Sequence, residues 1–140
     1  MASAMTTSGL SEFIAATEAF PDVLTAALQA VAEATGRRIQ TRAQAILQSK
    51  VRGRPILITQ QSEPAKHQVR VDATFAPGQP TSIPLWFEHG TAPRRQRGGR
   101  ATGKITALHY MRDAAAAEDT AYRRELEAAA ERTARRIFKA

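Results

Sequence analysis

The sequence predicts an α+β domain: a long N-terminal helix, a small antiparallel β-sheet of about three to four strands, and a long C-terminal helix packed on one face. Three observations carry this. Leu24, Leu28, Val31, Thr35, Ile39, Ala43 and Ile46 recur at helical spacing and span an arc of about 120° on a helical wheel. Met111, Ala115, Tyr122, Leu126, Ala129, Thr133 and Ile137 do the same at the other end of the chain, within roughly 80°. Between them lie short runs of strand formers, separated by Gly- and Pro-rich punctuation.

Taken in order, Met1 to Gly9 is small and polar and is expected to be loose. Leu10 to Phe20 reads as a short helix with Ser11 at its N-cap, stopped by Pro21. Residues 1–20 are therefore set apart from a single domain at 21–140. Asp22 caps the long helix, which runs to about Lys50. Gly36 sits inside its pattern, where a kink or frayed turn is expected. Val51-Arg-Gly-Arg-Pro55 ends it. Ile56 to Gln60 and His67 to Ala73 form a hairpin across a polar turn at 61–66. In its second strand the two-residue alternation turns Val69 and Val71 to the core and Arg70 and Asp72 to solvent. Phe75 to Pro80 is a loop, and Ile83-Pro-Leu-Trp-Phe87 is a third strand, placed at an edge by Pro84. Trp86 and Phe87 are its core anchor, one of them facing inward. Ile105 to Tyr110 extends the sheet or leads into the last helix, and Met111 to Phe138 holds no Gly or Pro.

Composition narrows the functional classes. The chain has 140 residues, 43% of them hydrophobic and only 6% aromatic, which implies one domain with a thin core. Thin cores are often completed by self-association. A net charge of +7 and a pI near 10.8 point to acidic partners, nucleic acid foremost. The absence of cysteine excludes disulfides, thiolate catalysis and cysteine–zinc sites. No apolar run reaches the ~18 residues a membrane span needs, and the first residues do not read as a signal peptide.

The charge concentrates in Arg94-Arg-Gln-Arg-Gly-Gly-Arg-Ala-Thr-Gly-Lys104, a loop with no acidic residue. Arg94, Arg95, Arg97, Arg100 and Lys104 are the candidate contacts to a partner or to DNA. Such a loop offers almost no apolar area, so it is expected to be mobile when free and ordered on an acidic partner. No aromatic residue interleaves the arginines, so base stacking is not expected. Gly98 to Lys104 fits the first positions of a phosphate-binding P-loop, but Ile105 replaces the Ser or Thr that holds magnesium, and no strand leads in. His67, His89 and His109 show no metal-ligand spacing. Glu88 and His89, as neighbours in a strand, would point to opposite faces and not act together. No catalytic, cofactor-binding or metal residue is therefore expected. In the last helix Glu118, Glu125, Glu127 and Glu131 lie among Arg123, Arg124, Arg132, Arg135 and Arg136, which reads as a salt-bridged solvent face.

The order of parts, with Trp86-Phe-Glu-His-Gly-Thr91 closing the third strand, resembles one phage family. It is the neck or tail-completion family of long-tailed double-stranded DNA phages (gene-product-ten-like), in which an aromatic–Glu–x–Gly–Thr segment ends a strand before a long loop and a closing helix. The resemblance covers roughly residues 20 to 140. Leu108 to Ala114 stands where the family has a proline-containing phrase, and Val51 to Ile56 where it has Thr-Gly-x-Leu-Arg. The likeness implies a non-enzymatic virion component without cofactor, assembled in the bacterial cytoplasm. It would form a homo-oligomeric ring that joins the DNA-filled head to the tail. Its partners would be head-completion or adaptor proteins and tail-terminator or tail-tube proteins, with passing contact to genomic DNA. The alternative from charge alone is a small, basic, non-specific nucleic-acid-binding module. An enzyme using the Gly-rich loop is a third.

Overall fold

The helical pattern of the N-terminal half belongs to one uninterrupted helix, α1, Thr7–Lys50. The computed structural model describes residues 7–51, 56–75, 83–95 and 97–138. The expected stop at Pro21 is absent: the proline lies inside α1 and is exposed. Its missing N–H removes one helical bond, yet the two turns that precede it are held by one partner. Phe13 and Phe20, two turns apart, both pack on Phe138, with ring centroids at 6.1 and 5.2 Å. Residues 1–20 are thus not a separate segment from Thr7 onward, and Met1 to Thr6 lie outside the described residues.

Two strands follow. β1 (Ile56–Glu63) and β2 (Gln68–Phe75) pair antiparallel from Ile56↔Phe75 to Glu63↔Gln68, around a 3-10 turn at Pro64–Lys66. The hairpin agrees with the sequence pattern, but the third strand does not. Ile83–His89 is a helix, α2. Pro84 fits the first helical turn, where a missing N–H costs nothing. Gly90 ends the helix at φ +76, its N–H donating to Trp86 O at 2.8 Å. The sheet count falls accordingly. There are two two-stranded sheets among the described residues, β1–β2 and a short β3 (Arg94–Arg95) with β4 (Ala101–Gly103). Ile105 to His109 is irregular and leads into α3, Tyr110–Ile137.

The architecture remains α+β, with α3 lying antiparallel along α1. Arg38 meets Glu118 and Glu125 while Phe20 meets Phe138, so residue numbers rise on one helix as they fall on the other. The core is displaced from the expected position. Leu28, Val31, Val69, Val71, Tyr122 and Leu126 are only half-buried. The buried cluster is Ala43, Leu47, Ile56, Ile58, Tyr110 and Ala114, where α1, β1 and the first turns of α3 converge. The helix runs unbroken through Gly36. A Cβ there would stand 2.8 Å from Val69 Cγ1 and 3.1 Å from Gln60 Nε2, so the glycine lets the hairpin lie directly on the helix backbone.

A candidate partner-binding hairpin and its clasp

Trp86 to Thr91 organises this region as a helix end rather than as a strand. Glu88 is buried and faces the start of α3, where four backbone N–H groups lack helical partners. Its carboxylate accepts from Met111 N at 2.8 Å through Oε2 and from Arg112 N at 3.0 Å through Oε1. A negative charge at this end also complements the helix dipole. His109, at the N-cap, is in the left-handed region at φ 49 and makes no side-chain cap bond. Glu88 therefore caps a helix that begins 22 residues later, with both carboxylate oxygens bonded there, while the neighbouring His89 is exposed.

Backbone bonds tie the same stretch to residues 105–109. Leu108 N donates to Phe87 O at 2.7 Å, His109 N to Glu88 O at 3.2 Å, and Thr91 N to Ile105 O at 2.9 Å. Ile105 N returns a bond to Thr91 Oγ1 at 2.9 Å. Gly90 is required at the crossing: a Cβ would meet Ile105 O and Ala107 N at 3.0 Å, on a backbone already at positive φ. Beneath this clasp Tyr110 is almost fully buried and donates its hydroxyl to Pro84 O at 3.1 Å. Burial, followed by the charge of Glu88, pushes the phenol up to about 12, so it stays a donor at neutral pH. Phe87 packs against the core cluster, and Trp86 is half-buried on α2. Neighbouring residues on a helix differ by about 100°, less than the roughly 180° of a strand, so both aromatics are half-buried and neither is turned fully to solvent.

The clasp closes the base of the basic segment, which is a small hairpin rather than a structureless loop. Arg94 pairs with Gly103 and Arg95 with Ala101, with a register shift between them. Arg95, Arg97, Arg100 and Lys104 are all exposed, and the Arg94 side chain lies outside the described residues. A Cβ at Gly98, Gly99 or Gly103 would meet nothing within 4 Å, so the tip stands clear of the body. The P-loop pattern fails on geometry as well. A turn and a strand occupy Gly98 to Gly103, and no helix starts at Lys104 to receive a phosphate. Among the described residues no three His, Asp or Glu side chains group as a metal site.

Two cations of α1, Arg38 and Arg42, are already engaged. Glu118, expected on a solvated face, is buried against α1. It accepts from Arg38 Nε at 2.7 Å and from Arg42 at 2.9 Å, and Arg38 also reaches Glu125 at 3.0 Å. The hydrogen bonds from Arg38 and then Arg42 hold its carboxyl below the usual range, against the effect of burial. An open groove of about 610 Å³ beside these residues includes exposed Arg37, but its other two arginines are spent on Glu118. Among the described residues Arg95, Arg97, Arg100 and Lys104 of the hairpin are exposed and in no ion pair with another described residue, as are Arg37 and Lys50 of α1 and Arg124, Arg132 and Arg136 of α3. At the far end of α1, Leu10, Phe13 and Ile14 form an exposed apolar tip. Neither family models, curated proteins nor solved structures give a match to this chain. No helix among the described residues is long and apolar enough to cross a membrane.

Proposed function

We propose that this chain is a structural component of a long-tailed DNA phage, a neck or tail-completion protein that forms a ring between head and tail. The hairpin at 94–104 carries the proposal: five cations and three glycines without an acidic residue, raised on a base that the clasp fixes. A solvated basic arm on a rigid mount suits contact with an acidic surface, and it brings no group positioned for catalysis. The likeness of Trp86 to Thr91 to the family's strand end points the same way, although here the segment is helical. The acidic surface of the adjoining ring is the arm's partner. A conduit that DNA must slide through gains nothing by holding it tightly.

Electron microscopy of particles assembled from the genome that encodes the chain tests this. The expected result is a closed ring of this chain at the head–tail vertex. Particles complete in head and tail but lacking the chain would overturn it. A steep salt dependence of duplex DNA binding by the isolated chain, about 0.9 in logarithmic slope per neutralised phosphate, would favour the nucleic-acid module instead.

A further inference from the structure

The two edges of the β1–β2 hairpin are treated differently. On the β1 side, side-chain amides of α1 occupy the main chain. Gln44 Nε2 donates to Ile56 O at 3.2 Å, while its Oε1 accepts from Ile58 N at 3.3 Å. Gln40 Nε2 donates to Ile58 O at 2.7 Å. A primary amide offers both a donor and an acceptor, as a neighbouring strand would, so this edge is already filled at Ile56 and Ile58.

The same bonds fix the parity of the ladder. Ile56 and Ile58 turn their main-chain groups toward α1, so the residues that exchange bonds with β2 are the alternate ones, Leu57, Thr59 and Gln61. They stand opposite Thr74, Asp72 and Arg70. Val69, Val71 and Ala73 must then direct their N–H and C=O groups away from β1, along the outer edge of β2. No hydrogen bond among the described residues reaches those groups. Among the described residues, then, the start of the β1 edge is occupied and the β2 edge carries no hydrogen bond at Val69, Val71 or Ala73.

The open edge is complementary to itself. Laid antiparallel to a second copy about Val71, it places Val71 opposite Val71, Val69 opposite Ala73, and Arg70 opposite Asp72 twice over. The three outward-facing residues of each copy coincide, giving about six main-chain hydrogen bonds. Arg70 and Asp72 fall on the face away from the core, where opposed charges on neighbouring strands attract. Within one copy Arg70 only brushes its own Asp72 at 3.4 Å. On the core side the half-buried Val71 meets its own copy across the two-fold axis, and Val69 meets the Ala73 of the second copy. We propose that two copies of this chain pair along β2, making a four-stranded antiparallel sheet in the order β1–β2–β2–β1. The contact closes at two copies, so it belongs to the free protein and is not the head-to-tail contact of a ring. It does not rest on the proposed place at the head–tail junction.

Sedimentation of the full chain across micromolar to millimolar concentration tests this, together with amide exchange at Val69, Val71 and Ala73. A monomer–dimer equilibrium is expected, with those three amides protected in the dimer and released on dilution. Arg70→Asp or Asp72→Arg alone sets like charges opposite each other at both symmetric sites. Either should weaken the dimer by about tenfold or more, and the double exchange should restore it. Val71→Pro removes an outward N–H without touching the β1–β2 ladder and should leave a folded monomer. If it fails to fold, the charge series decides. A strict monomer at every concentration would overturn the proposal, as would a dimer indifferent to both single reversals or one with those three amides unprotected.

Discussion

Replacing Tyr110 by Ala is expected to lower the unfolding free energy by about 3–5 kcal/mol, the range for removing a large buried aromatic. Tyr110 is the largest fully buried side chain among the described residues and fills the junction of α1, β1 and α3. Its neighbours Ala43 and Ala114 are too small to close the space it would leave. A domain of this size has only about 5–15 kcal/mol in total, so the variant should sit close to its unfolding threshold. Tyr110→Phe keeps the ring and loses only the bond to Pro84 O, at about 1 kcal/mol. Denaturant melts of the two variants separate packing from hydrogen bonding. Equal, small shifts in both would mean that the core does not centre on this residue.

Glu88→Ala should be the next most damaging change near the hairpin, at about 2–3 kcal/mol. It removes two charge-assisted bonds from the first turn of α3 and leaves the N–H groups of Met111 and Arg112 without their acceptor. Glu88→Gln keeps acceptor oxygen but loses the charge facing the helix dipole, so it should cost about half as much. Amide exchange should show Met111 and Arg112 deprotected in the Ala variant while the middle of α3 stays closed. If those two amides exchange as in the unaltered chain, Glu88 is not the cap. The same variant should loosen the base of the hairpin, since Glu88 O and Phe87 O also hold the returning chain.

The two long helices were legible because periodicity over many turns outweighs any single residue. That is also why Pro21 and Gly36 misled: each is a breaker by local propensity, and each is overruled by packing. Phe13 and Phe20, both on the N-terminal side of Pro21, hold that end of the helix on Phe138, and the close approach of Val69 explains Gly36. The stretch at 83–91 takes a different form from the strand expected of it. Aromatic and β-branched content argued for a strand, whereas Pro near the start and Gly just past the end is the signature of a short helix. Given more weight, that spacing alone would have found α2. Glu118 could not be placed from sequence, because its arginines lie on another helix and its local neighbours resemble a solvated face. The cover that Gln40 and Gln44 give to β1 was equally hidden, since nothing in a glutamine announces the strand it will meet.

The claim that the basic hairpin is a contact arm is tested most directly by exchanging Arg94, Arg95, Arg97 and Arg100 for Ser and measuring head–tail joining. The described members of that set are exposed, and surface changes of this kind usually move stability by no more than about 0.5 kcal/mol each. The melting midpoint should therefore stay close to that of the unaltered chain. The account predicts that filled heads and finished tails then accumulate unjoined. Normal joining and full infectivity with the four serines in place would contradict it.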